Sequence, residues 1–299
     1  MAAAIVTERL TKYYGDVPGI VDLDLEVAVG EVFGFLGANG SGKTTTIRTL
    51  LDLIRPTSGR ARILGLDSHA DAVAIHRRVG YIPGDVAMYE DMTGRELCRY
   101  FANLRGVDTS AEVERLAARL ELDLDRKIGA YSSGNRQKVA IVQAFMHRPE
   151  LLVLDEPSTG LDPLMQQEFY AMVREARDEG RTVFLSSHVL PEVERVADRV
   201  AVIREGRLVA VETVEGLKAK ARRHVQLVFA SPIDPEVFRS VPGVRELHPS
   251  HDGRGVDLVV AGSLEAVMAV AARHGIENVI SHEGDLEDAF LALYDDDAP

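Results

Sequence analysis

Residues 37–45 read Gly-Ala-Asn-Gly-Ser-Gly-Lys-Thr-Thr. Gly37, Gly42, Lys43 and Thr44 fill the four fixed places of the phosphate-loop pattern G-x-x-x-x-G-K-[ST]. The flanks agree with it. Residues 31–36, Glu-Val-Phe-Gly-Phe-Leu, predict a buried strand, and residues 43–51 predict a helix. Three glycines let the backbone curl so that its N–H groups face one anion. The helix N-terminus adds partial positive charge at the same point. Lys43 supplies a full charge for the β- and γ-phosphates, and Thr44 supplies a hydroxyl for Mg²⁺. A glycine-rich strand-to-helix turn would also give Gly37 and Gly42, but not the Lys-Thr pair that follows them.

Composition narrows the classes. The chain has 299 residues, 46% hydrophobic and 27% charged, with a net charge of −13. That length carries a large core and suits two domains. The negative charge argues against nucleic acid as a partner, since phosphate backbones are bound by basic stripes. No apolar run approaches the roughly 20 residues that a bilayer span requires. Residues 1–10 lack the charged-then-apolar layout of a signal peptide. The expectation is a cytoplasmic chain whose membrane role, if any, comes through a partner. Cys98 is the sole cysteine, so no internal disulfide or cysteine-cluster metal site is expected.

Strand and helix patterns alternate through the first two-thirds. Residues 5–10 and 21–27 alternate as strands, with Gly15 and Pro18-Gly19 read as punctuation. Residues 56–59 read as a turn, 60–64 and 79–82 as strands, and 73–78 as a helix. Helical spacing covers 93–104, 111–122, 137–147, 166–178 and 192–197. Residues 151–154 and 182–185 are short apolar strands of the kind buried on both faces of a parallel sheet. Residues 199–204 and 207–211 read as a hairpin. This order predicts an α/β sheet with its ligand at the strand ends. After about residue 215 the pattern becomes strand 225–230, short helix 235–241, strands 244–248 and 256–260, helix 264–274, strand 276–281 and helix 286–294. That β-α-β-β-α-β order predicts a small α+β, ferredoxin-like domain. Residues 295–299 read as a loose acidic tail.

Two further stretches narrow the chemistry. Leu151-Leu-Val-Leu-Asp155-Glu156-Pro157 delivers two adjacent carboxylates to a sheet edge. Asp155 suits Mg²⁺ through its water shell, and Glu156 suits a base for water aimed at a γ-phosphate. An acidic turn after a strand is common in itself; its place downstream of a phosphate loop gives it meaning. Tyr131-Ser132-Ser133-Gly134-Asn135 opens a helix, where Ser132 and Gly134 can bring donors close to an anion. Alone, that loop is an ordinary helix cap.

In this order the motifs resemble the ATP-binding subunit of an ABC transporter over residues 1 to about 212. Residues 37–45 resemble the Walker A loop, 151–156 Walker B, and 131–135 the signature motif. Residues 158–162 resemble the D-loop, His188 after Ser186-Ser187 the switch histidine, and Tyr14 the aromatic that stacks on adenine. The resemblance implies a P-loop NTPase domain over 1–214, a helical subdomain over about 86–148, and an accessory domain over 215–299. It implies ATP contacts from Tyr14, Gly37, Asn39, Gly40, Ser41, Gly42, Lys43, Thr44 and Thr45. It also implies contacts from Ser132, Ser133 and Gly134, reaching the ATP of a second copy in a head-to-tail homodimer. Mg²⁺ would sit at Thr44 and Asp155. Catalysis would fall to Glu156, His188 and Lys43, with hydrolysis driving a separate permease at the cytoplasmic face of the plasma membrane.

The chain departs from the family pattern in several places. Ala38 replaces a usual proline, Ser133 the first signature glycine, and Asn135 the signature glutamine. Tyr-Ser-x-Gly forms resemble the drug-export branch, which implies export of drugs or antibiotics. Gly84 stands where a glutamine usually follows Pro83; that contact is lost or passes to Asp85, and slower or looser-coupled hydrolysis is expected. Met88, Tyr89 and Met92 are expected either to meet the permease or to pack within the subdomain. Residues 215–299, with Asp285-Leu-Glu-Asp-Ala-Phe290, resemble the extra domain of exporter ATPases. The alternative is a non-transport ABC ATPase of translation or DNA repair, but one phosphate loop and one cysteine fit those poorly.

Overall fold

The computed structural model describes residues 2–220, 222–250 and 252–282. The expected helix at 286–294, the 285–290 stretch and the acidic tail lie outside the described residues. The chain divides into two compact units, Met1–Val211 and Glu212–Pro299, slightly before the break expected from the sequence.

The first unit runs β1 (Ala3–Tyr14), β2 (Val17–Ala28), β3 (Val32–Leu36), α1 (Lys43–Leu50), β4 (Ser58–Ile63), β5 (Leu66–Asp67), α2 (Ala72–Arg78) and β6 (Val79–Ile82). It continues with α3 (Gly94–Arg105), α4 (Ser110–Arg119), α5 (Ser133–Phe145), β7 (Leu151–Asp155), α6 (Pro163–Asp178), β8 (Thr182–Ser187), α7 (Leu190–Val196), β9 (Arg199–Arg204) and β10 (Arg207–Thr213). One antiparallel sheet has the order β2-β1-β4-β5. A second sheet has the order β10-β9-β3-β8-β7-β6, with β9, β3, β8, β7 and β6 parallel.

The two sheets share one core with α1 between them. Ile5, Leu23 and Leu25 of the antiparallel sheet meet Ile47 and Leu50 of α1 and Phe33, Phe35 and Phe184 of the parallel sheet. Phe33 stacks on Phe184 at 6.0 Å, and Phe35 tilts against it at 5.3 Å. Each buried phenyl contributes about 2–3 kcal/mol. Exposed ion pairs such as Arg95–Asp125 contribute about 0–1 kcal/mol, so the core and not the charged surface holds the unit. Helices α5, α6 and α7 pack on the parallel sheet.

Register explains where a ligand can sit. Leu36 pairs with Ser187, Asp155 with Ser186, and Ile82 with Leu154. The carboxyl ends of β3, β8, β7 and β6 therefore finish side by side, and the loops that follow share one rim.

The local signals are mostly those expected. Helix α3 opens with a capping box, Thr93 accepting from Glu96 N–H and Glu96 from Thr93 N–H at 2.9 Å, and closes at Gly106 with φ 70°. Two expectations need correction. Pro18 and Gly19 lie inside β2 and do not form a turn. Strand β2 is a sheet edge, where a residue without N–H does no harm. Residues 58 and 59, read as part of a turn, begin β4.

The second unit contains α8 (Val214–Lys220), β11 (Arg222–Phe229), β12 (Val244–Pro249), β13 (Gly255–Ala261), α9 (Glu265–Ala271) and β14 (Ile276–His282). Its antiparallel sheet has the order β12-β13-β11-β14. The expected short helix at 235–241 is a single 3-10 turn, Pro235–Phe238. Phe229, Phe238, Leu258 and Val267 form a core of its own. No helix among the described residues is long and apolar enough to cross a membrane.

Candidate functional site

The loop between β3 and α1 turns on Gly42, whose φ of 109° suits only glycine. Its lysine is folded inward. Lys43 Nζ donates to the carbonyls of Gly37 at 2.6 Å and Ala38 at 3.3 Å, and lies 3.4 Å from Glu156 Oε1. Ser41 Oγ is buried without a hydrogen-bond partner. Such an orphan is rare unless a ligand completes it. A donor of this kind at a helix start, beside a lysine, fits a phosphate oxygen. The hairpin β9–β10 braces the loop from below, Gly206 N–H donating to Ser41 O at 2.8 Å.

A cavity of about 500 Å³ opens over this loop. Asn39, Gly40, Gly42, Lys43, Thr44 and Thr45 line it from below. Tyr14, Pro18 and Gly19 form one wall, and Gly84, Asp85 and Glu156 another. Tyr14 is half exposed, with Lys12 Nζ 5.4 Å from its ring centroid. Gly37 lies beneath the loop, where a methyl group would come 2.4 Å from Ser41 Oγ. Arg48 also lines the cavity. The sequence reading missed it, although it sits one helical turn beyond Thr44, on the same face of α1.

Asp155 ends β7 with no exposed surface. Its Oδ2 accepts from Thr44 Oγ1 at 2.8 Å and its Oδ1 from Ser186 Oγ at 2.5 Å. Bonds of this charge-assisted kind are worth about 1.5–3 kcal/mol each and make the buried carboxylate tolerable. A hydroxyl and a carboxylate in contact beside a phosphate loop are oxygen donors of the kind that would fit Mg²⁺. Glu156 adopts φ 50°, unusual for a residue other than glycine. Its N–H donates to Ser186 O at 3.1 Å. Its carboxylate meets His188 Nδ1 at 2.8 Å. Lys43 and Thr44 at the start of α1 after β3, Asp155 and Glu156 at the end of β7, and His188 just past β8 thus converge from three neighbouring parallel strands. The stand-in at Gly84 is tight: a side-chain carbon there would lie 3.0 Å from Asp155 Oδ2.

Ser132, Ser133 and Gly134 are held elsewhere and do not line the cavity. Ser132 caps α5, its Oγ accepting from Asn135 N–H at 3.3 Å. Tyr131 is buried and its hydroxyl donates to Asp123 O. A methyl group at Gly134 would sit 2.7 Å from Gly160 O, so this glycine allows α5 to touch the 158–162 loop. Gln137 Nε2 donates to Pro157 O at 2.6 Å, tying the same helix to the turn after Glu156. Asp162 caps α6 through Leu164 and Met165 N–H, both at 3.0 Å.

Comparison with known proteins agrees with this arrangement. The ABC transporter family model matches residues 20–159. A bacitracin transport ATP-binding protein of Bacillus licheniformis is 37% identical over 229 residues, covering 76% of this chain and 75% of that one. A daunorubicin resistance ATP-binding protein of Streptomyces coeruleorubidus is 35% identical over 308 residues, covering 98% and 96%. A solved ATP-binding subunit of an ABC transporter superposes with a TM-score of 0.67 at 31% identity, over 72% of this chain and 92% of that one. A dimeric ATP-binding cassette bound to ADP and phosphate superposes with a TM-score of 0.65 over 70% and 98%; at 20% identity it speaks for the fold alone. With phosphate loop, Asp-Glu strand end and His188 gathered on one rim, the chain belongs to the ATP-binding subunits of ABC transporters, a family of ATPases that couple hydrolysis to transport.

Proposed function

We propose that this chain powers a separate membrane permease exporting drug- or antibiotic-like molecules, through head-to-tail closure of two copies on two ATP molecules. The observation that carries the reading is the split site. The cavity over the phosphate loop is lined from Tyr14 to Glu156 by one chain, yet Ser132–Gly134, shaped as a donor-bearing helix cap, lies outside it. A second copy, docked in reverse, would bring that cap to the exposed side of the nucleotide. The relatives named for bacitracin transport and daunorubicin resistance support the export assignment.

In this mechanism Tyr14 stacks on the adenine ring, and residues 39–45 wrap the phosphates with backbone N–H groups. Lys43 releases the Gly37 and Ala38 carbonyls and turns to the γ-phosphate. Thr44 and Asp155 would hold Mg²⁺, which would supply neutralisation of phosphate charge. Glu156 accepts a proton from the attacking water. His188, bonded to Glu156, orients that water and meets the γ-phosphate. Ser132–Gly134 of the second copy stabilises charge on the phosphate oxygens from the opposite side. Product release then weakens the contact and the pair opens.

Residues 1–214 carry this ATPase, and 86–148 form its helical subdomain. The permease is read to dock at an apolar groove of about 310 Å³ that Met88 and Tyr89 help to line. Tyr89 is exposed, while Met92 is half-buried and lies outside the groove. The second unit's strand order, with two outer and two inner antiparallel strands, supports a ferredoxin-like accessory domain. The complex would sit at the cytoplasmic face of the plasma membrane through its permease.

A mass measurement tests the reading. Glu156→Gln with ATP and Mg²⁺ should elute as a dimer and revert to monomer in ADP. A monomer at saturating ATP contradicts it. Gly84 removes a side chain but leaves Glu156 and His188 intact, so turnover is expected; none at all in the presence of the permease would overturn that expectation.

A further inference from the structure

Glu192 lies in the first turn of α7, four residues beyond His188, and touches neither reacting group. Its carboxylate nonetheless gathers three elements. Ser158 Oγ donates to it and lies 2.7 Å from each oxygen. Ser187 Oγ donates to Oε2 at 3.1 Å and accepts from Val189 N–H at 2.9 Å. The Tyr170 hydroxyl of α6 lies close enough for the Glu192 charge to hold its phenol protonated. Ser158, Ser187 and Tyr170 are all buried, so water does not substitute readily for these partners.

The placement of the partners matters more than their number. Ser158 is two residues after Glu156, and Ser187 is the residue before His188. Glu156 and His188 meet at 2.8 Å. One carboxylate therefore ties down both backbone segments that deliver this pair. It also holds the 158–162 loop, whose Gly160 carbonyl packs on Gly134. We infer that Glu192 is a positioning residue for hydrolysis, fixing the separation of Glu156 and His188 and joining it to the loop that packs on the 132–134 cap. The inference rests on reading Glu156 and His188 as the hydrolytic pair. Nothing is transferred to or from Glu192; it acts through hydrogen bonds to Ser158 and Ser187. A misplacement of about 1 Å of a reacting group is enough to lower a rate by about 100-fold.

The test compares Glu192→Gln, Glu192→Ala and Ser158→Ala in the full chain. ATP turnover gives kcat and KM, and a fluorescent ATP analogue gives affinity. Glu192→Gln is nearly isosteric, so it carries the test if the alanine variant folds poorly. The expected result is kcat lower by about 10-fold for Gln and about 100-fold for Ala, with KM and analogue affinity within about 2-fold of the parent. Combining Glu192→Ala with Ser158→Ala should add little to the single loss, because both act through one contact. Tyr170 supplies a signature independent of turnover. Burial first, then the Glu192 charge and hydrogen bond, push its phenol upward, against the opposing Arg195. In Glu192→Gln the ¹³C resonance of Tyr170 should shift at neutral pH, because the charge beside the phenol is gone. Unchanged kcat in Glu192→Gln and Glu192→Ala, with Glu156→Gln inactive, overturns the inference and spares the pair. A fully active Glu156→Gln overturns the reading of the pair itself.

Discussion

The phosphate side of the cavity and the 132–134 helix cap are built on opposite principles. On the phosphate side, β3, β8, β7 and β6 end in register, and each contributes through the loop or residue at its end. Its side chains already bond to one another: Thr44 to Asp155, Asp155 to Ser186, Glu156 to His188. At the 132–134 cap, Ser132, Ser133 and Gly134 occupy a helix start outside the parallel strands, Ser132 bonded to its own helix and Gly134 packed close on the Gly160 carbonyl. One side is a closed network within a chain. The other is a helix cap that meets its own helix and the Gly160 loop and stays outside the cavity.

That contrast predicts different failures. The largest effect belongs to Glu156→Gln, which removes the proposed base and leaves the loop intact. Its kcat should fall by about 1000-fold with ATP affinity retained, as assayed by phosphate release and equilibrium binding. Lost affinity would mean that Glu156 holds the loop through Lys43 and not the water. Next comes Gly134→Ala, whose methyl would sit 2.7 Å from Gly160 O. Turnover should fall by about 10- to 100-fold while the monomer binds ATP as before. If monomer affinity fell equally, the two sides would not be separable and the comparison would break.

Smaller effects test how the signature helix is anchored to the sheet. His147, just past α5, bonds through Nε2 to Val79 O of β6 at 3.2 Å. Burial, with Arg105 and Arg181 nearby, pushes its pKa down to about 4, against the Val79 bond that raises it. The fold holds it neutral while the unfolded chain takes up a proton near 6.5. The stabilisation is therefore complete above about pH 6.5 and is lost as pH falls toward 4. Allowing for its partial exposure, the loss is on the order of 1–2 kcal/mol. Urea unfolding at pH 7 and pH 5 should show it, and His147→Gln should flatten the difference. The smallest effect is Arg119→Ala. This arginine of α4 pairs with Glu168 and Glu175 of α6. Partly exposed pairs of this type are worth about 0.5–1 kcal/mol, so Tm should fall by a few degrees at most.

The sequence revealed the phosphate side because its chemistry is local. Four consecutive apolar residues predict a buried strand, and the Asp155-Glu156 pair has to appear where that strand ends. Long antiparallel strands were harder. Strand β1 runs for 12 residues, but its register shifts on both sides of Leu10, and such bulges break the two-residue alternation that marks a strand. Pro18-Gly19 resembles a turn until a sheet edge makes it harmless. Helix α8 was missed because it is one short segment with Gly216 inside it. Ser186 bonds to Asp155, 31 positions away, and Glu192 to Ser158, 34 positions away, and no spacing rule reports such partners.

The account stands on two copies sharing each nucleotide, and a structure of Glu156→Gln with ATP and Mg²⁺ tests that most directly. Ser132 and Gly134 of one copy should lie within hydrogen-bond distance of the γ-phosphate that touches Lys43 of the other. Triphosphate bound at Lys43 with the opposing cap turned away, or with no second copy beside it, would contradict the shared site.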